Sequence, residues 1–152
     1  MDDLATLIPD LDDATAKRIL ATVAQQRLRS GATADVPATA ETARDLAAAV
    51  AVAPDAASVS EGDVARQSLL LIADDPAMQP VLRNLIEYPS AQKFADPTML
   101  IVGAAALVVL QSYMEIERDK NGKWTFKLKK KPLNDSLLKE VIQKLAGYLG
   151  VK

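Results

Sequence analysis

The chain has 152 residues, 49% of them hydrophobic, and a formal charge of only −2. It contains neither cysteine nor histidine, which excludes disulfides, thiolate and imidazole chemistry, and a zinc site of the common kind. The charge is unevenly spread: residues 1–96 carry 8 Lys or Arg against 15 Asp or Glu, whereas residues 97–152 carry 10 against 5.

The length suits one domain with a real core. Alanine inflates the hydrophobic fraction, since 17 of 26 alanines precede Ser58, so the first helices should pack with small side chains. The acidic start MDDLATL lacks the basic region and apolar stretch of a secretory signal, and a cytoplasmic location is expected. The familiar glycine patterns for phosphate binding are absent. Asp12-Asp13 and Asp74-Asp75 are the acidic pairs of note, and both fall where helix caps belong. No catalytic, cofactor-binding or metal-binding residue is therefore assigned, and the chain is not expected to be an enzyme.

Helix signals come in series. Asp12 or Asp13 can cap a helix through AKRILATVAQQRL, with Ile19, Leu20, Val23 and Leu28 on its apolar side. After the linker GATADVPAT, Thr39 can cap a short alanine-rich helix that stops at Pro54. Ser58 and Glu61 have capping-box spacing and would open a helix through VARQSLLLIA. A further helix begins near Asp75-Pro76 or Gln79-Pro80 and runs through VLRNLIE. Proline and glycine mark the ends of these segments, as in a small orthogonal bundle.

Asp96-Pro97 places a cap and a first-turn proline before a run from Met99 to Leu110 that has no polar residue. Its twelve residues would span about 18 Å as a helix, short of the roughly 30 Å core of a bilayer. No integral membrane segment is expected. A helix apolar all round is ordinarily covered on several sides by its neighbours, here the N-terminal helices. A competing reading makes the run an oligomer contact or a membrane-inserting element that a conformational change releases.

Met114, Ile116, Trp124, Phe126 and Leu128 alternate with polar residues, the pattern of two half-buried strands. A two-residue turn at Asn121-Gly122 would pair Ile116 with Lys127 and set lysine on the apolar face. A three-residue loop, Lys120-Asn121-Gly122 with Gly122 left-handed, instead pairs Met114 with Leu128, Ile116 with Phe126 and Arg118 with Trp124. Glu115 then faces Lys127 on the outer side. Lys123, Lys127, Lys129, Lys130 and Lys131 are the candidate site residues, as edge protection against strand pairing or as an anion-binding ribbon. The register turns Trp124 and Phe126 inward, away from base stacking, and leaves Tyr113 to face outward.

Asn134 can cap a last helix whose apolar stripe is Leu137, Leu138, Val141, Ile142, Leu145 and Leu149. It is expected to lie on the apolar face of the hairpin, since a lone hairpin is marginal in water. The expected fold is thus mainly α (α+β): a small N-terminal helical bundle over 1–96, then a basic helix-hairpin-helix unit over 97–152, packed as one domain.

The segments DPTMLIVGAAALVVL and IERDKNGKWTFKLKKKPLNDSLLKEVIQKL resemble the ending of small, uncharacterised bacterial proteins found in conflict or effector gene neighbourhoods. The resemblance covers about a third of the chain and implies a partner, adaptor or regulated component of a defence system. It assigns no binding residues. Another protein or a second copy is the expected partner. A nucleic-acid or anionic-surface binder acting through the lysines is the alternative, and a membrane-active effector is the third.

Overall fold

The computed structural model describes residues 3–33, 35–53, 59–87, 102–128 and 135–150. They form α1 (Leu4–Leu7), α2 (Asp13–Arg29), α3 (Ala40–Ala49), α4 (Glu61–Ala73), α5 (Gln79–Glu87), α6 (Val102–Leu110), β1 (Met114–Arg118), β2 (Trp124–Leu128) and α7 (Asp135–Tyr148). This is the mainly helical α+β class expected from the sequence.

The first element is one that the sequence reading left out. Asp3 caps α1, and a 3-10 turn over Ile8–Asp10 follows. Leu4 and Ile8 are fully buried, with Leu7 and Leu11 packed beside them. Residues 4, 7, 8 and 11 recur at helical spacing, so hydrophobic burial holds a segment too short to be stable alone.

Of the two candidate caps for α2, Asp12 does the capping, accepting the Thr15 N–H at 3.1 Å. Asp13 is thereby left to meet Arg66 of α4 at 2.7 Å. The same guanidinium reaches Asp63 at 2.9 Å and the Leu11 carbonyl at 3.0 Å, so one arginine ties the N-termini of α2 and α4 together. Gly62 is buried at this crossing, and a Cβ there would coincide with the Asp13 carboxylate. A larger residue at 62 would have to displace the Asp13 carboxylate from its place beside Arg66.

The capping box of α4 is shifted from its expected place. Ser60 Oγ accepts from Asp63 N–H and the Asp63 carboxylate accepts from Ser60 N–H, each at 3.1 Å. Glu61 is instead the first residue of the helix, where its carboxylate cannot close the reciprocal pair. The sequence repeats the serine-to-acid spacing two residues apart, and position 58 lies outside the described residues. Hydrogen bonds from Ser60 N–H and then from Arg66 hold the Asp63 carboxyl below its ordinary range.

The core is one cluster drawn from α1 through α7 and from β1. Helix α6 buries every residue except Ala104 and packs against α2 and α4, so N-terminal helices do cover it. The hub, however, is α4, which touches α1, α2, α5, α6 and α7. Its two buried polar side chains are satisfied: Ser68 donates to the Val64 carbonyl at 2.8 Å, and Gln67 donates to Glu140 of α7 at 2.8 Å.

Helix α7 buries the expected stripe, with Leu138, Val141, Ile142 and Leu145 inside. Its partners are a correction. It packs against α3 and α4, and the helix against β2 is α3. An apolar helix stripe fits any complementary apolar surface, and adjacency in the chain does not choose among them. The C-terminal elements therefore interleave with the N-terminal helices. The expected caps at Asp96 and Asn134 lie outside the described residues.

Candidate interaction surface on the hairpin

The hairpin has the register derived from its alternation: Met114 opposite Leu128, Glu115 opposite Lys127, Ile116 opposite Phe126, Glu117 opposite Thr125 and Arg118 opposite Trp124. Its turn closes with Gly122 N–H on the Asp119 carbonyl at 3.0 Å and Asp119 N–H on the Lys123 carbonyl at 2.8 Å. That is a three-residue loop with a glycine bulge, and Gly122 has φ +81°. The Asp119 carboxylate braces the loop by accepting the N–H groups of Asn121 at 2.9 Å and Lys123 at 2.8 Å.

The inner face joins the core through fully buried Met114 and half-buried Ile116, Trp124 and Phe126. Trp124 is less enclosed than a burial against α7 would make it. The Arg118 guanidinium stands 5.9 Å from its ring centroid, close enough for a cation–π contact that covers the ring from the solvent side. The same Arg118 donates to the Gly122 carbonyl at 3.3 Å. Tyr113 also departs from its expected outward position. It packs against the core, and burial pushes its phenol up.

The outer face carries Glu115 and Glu117 from β1 and Thr125 and Lys127 from β2, all exposed. Lys123, just before β2, is exposed as well; Lys129, Lys130 and Lys131 lie outside the described residues. Along 114–128 the cations Arg118, Lys120, Lys123 and Lys127 meet the anions Glu115, Glu117 and Asp119. The described ribbon is thus nearly charge-balanced, and its outer face is divided, with Glu115 and Glu117 on β1 and Lys127 on β2. Opposite charges facing across a ladder are favourable, whereas a phosphate-binding ribbon would concentrate one sign. This division was legible in the alternation Glu115, Glu117, Asp119, which the lysines overshadowed.

The edges of the ladder differ. In an antiparallel pair, alternate residues aim their backbone groups at the partner or away from it. The Asp119–Lys123 bond fixes the phase: Glu117 and Glu115 face β2, whereas Ile116 and Arg118 turn their N–H and C=O groups outward. No backbone partner for these groups exists among the described residues. Strand β2 is in contact with α3, whereas among the described residues the main element contact of β1 is β2.

Elsewhere the chemistry is sparse. A cleft of about 290 Å³ lies between the ends of α2 and α6, lined by Arg27, Ser30, Gly31, Ala32, Gln111 and Ser112. Its one cation, Arg27, has its Nε sealed from solvent and without a partner among the described residues. The Gln111 amide is occupied, accepting Thr33 N–H at 2.9 Å and donating to the Thr33 carbonyl at 2.7 Å, a clamp that fixes the chain after α2. Asp75 accepts the Ala77 N–H at 3.0 Å in a turn, and Asp74 ends α4. Among the described residues no cluster of three acidic ligands could hold a metal, and no helix is long and apolar enough to cross a membrane.

No protein-family model, curated protein or solved structure matches the chain.

Proposed function

We propose that the chain is a non-catalytic protein-interaction module, an adaptor or partner component of a bacterial conflict or defence system, acting in the cytoplasm and docking through its hairpin. The observation that carries the reading is the β1 edge, which has no backbone partner among the described residues, on a hairpin anchored to a helical body. Unpaired backbone groups on an ordered strand are a template for another chain. The conflict-system setting rests on the resemblance of the C-terminal segments. Binding of nucleic acid or an anionic surface through the lysines is the rival, and the acids of β1 weigh against it.

A photo-crosslinking residue at Thr125, exposed on the outer face, tests the reading in lysate of the source cells. A discrete polypeptide adduct, lost when the crosslinker moves to Ala14 on exposed α2 surface, is the expected result. A nuclease-sensitive adduct overturns the reading in favour of the rival, and the absence of any adduct overturns it outright.

A further inference from the structure

We infer that the outer edge of β1 accepts an extended segment of a partner protein, with lysine or arginine at alternate positions, as a third strand of the sheet. The inference rests on the protein-interaction reading above and adds the edge, the register and the chemistry of the occupant.

The edge is set by the hydrogen-bond phase of the hairpin. Ile116 and Arg118 direct their backbone donors and acceptors away from β2, and none has a backbone partner among the described residues. A strand laid there would make main-chain bonds at positions two residues apart, the spacing of an antiparallel ladder.

The side chains set the chemistry. On the solvent face β1 presents Glu115 and Glu117, both exposed, followed by Asp119 at the turn. Neither glutamate has an ion pair within 4.0 Å among the described residues. Residues directly opposite on a new strand would lie about 5 Å away at their Cβ atoms. Cations two residues apart on the incoming segment therefore match the two glutamates. Between them the segment turns its alternate side chains toward Ile116, which is half-buried and packed against the core, so those positions suit β-branched apolar residues.

The same charges argue against a second copy of this chain. Pairing β1 with β1 would set the glutamate rows of two copies side by side, and like charges across a ladder repel. Pairing β1 with the β2 edge of another copy would have to accommodate α3, which packs against β2. A basic segment of a different protein meets neither obstacle.

The test uses the full ¹⁵N-labelled chain and two short acetylated peptides, one alternating lysine with valine and one alternating glutamate with valine. The lysine–valine peptide is expected to shift the Ile116 and Arg118 amide signals and slow their hydrogen exchange. The Glu115→Gln/Glu117→Gln double variant is expected to lower its affinity about tenfold; both positions are exposed, and an unchanged spectrum elsewhere confirms the fold. Equal binding of both peptides, shifts mapping away from β1, or an affinity unmoved in the double variant overturns the inference. So does a concentration-dependent dimer, seen by sedimentation, that protects the same two amides. If the peptide fails at β1 while Thr125 still captures a polypeptide, strand addition alone is overturned and the interaction reading stands.

Discussion

Helix α3 ends on an alanine where a glycine is usual. Ala51 has φ 58°; its N–H bonds the Ala48 carbonyl at 3.2 Å, and the Val52 N–H bonds the Ala47 carbonyl at 3.0 Å. These are the two bonds of a Schellman stop. Holding an L-residue in the left-handed region costs about 1–2 kcal/mol. Ala51→Gly removes that cost, while the added freedom of the unfolded chain returns about 0.4–1 kcal/mol. Because Ala51 is exposed, no packing is lost, and a net stabilisation of about 0.5–1 kcal/mol follows. For a domain of this size that raises Tm by roughly 1–4 °C. Ala48→Gly, three residues earlier on the exposed side of the helix, should shift stability the opposite way by about 0.5–1 kcal/mol. Urea unfolding followed by circular dichroism measures both. If Ala51→Gly lowers the midpoint, or if both changes destabilise alike, the left-handed stop at Ala51 is wrong.

Three further outcomes are expected. Leu107 is 1% exposed, so Leu107→Ala should cost about 2.5–5 kcal/mol in urea unfolding; a loss below about 1 kcal/mol would instead make α6 a releasable interface or membrane element. Gly122→Val forces a β-branched residue to φ +81° and should lower Tm clearly, with Gly122→Asn milder because asparagine tolerates that region; equal melting of the two variants would contradict the bulged turn. The Asp63 carboxyl sits below its unfolded value of 3.8, held first by the Ser60 N–H and then by Arg66. Its contribution is therefore present above that value and lost as pH falls through the folded pKa. Asp63→Asn, which removes the titrating carboxyl, should flatten the decline in stability between about pH 5 and pH 2, and an unchanged slope would show that Asp63 is not the source.

The local features were legible in the sequence and the choice of partners was not. Period-two alternation and the demand of one glycine for a left-handed turn were enough to fix the strand register, because a one-residue slip would have put Lys127 on the apolar face. Asp12 and Thr39 announced their helices as caps, and the run through Leu110 announced its burial. The capping box was misplaced because Ser60–Asp63 has the same spacing as Ser58–Glu61, and only the backbone course separates them. Helix α1 was missed because four apolar residues at helical spacing carry little weight until α4 covers them. That β2 lies against α3, and that Arg118 rather than α7 screens Trp124, depends on how the helices stack in space. For the candidate site, the lysines drew notice as a run, whereas the distinguishing feature is the acidic row on β1 beside an unpaired backbone.

Amide hydrogen exchange of the free, monomeric protein tests the open edge most directly, since it needs no partner. The N–H groups of Glu117 and Thr125 face each other in the ladder and should exchange slowly, limited by opening of the hairpin. Those of Ile116 and Arg118 should exchange far faster, because they point outward with no acceptor among the described residues. Protection of Ile116 and Arg118 as strong as that of Glu117 would mean that the β1 edge is already covered, and docking through it would be contradicted.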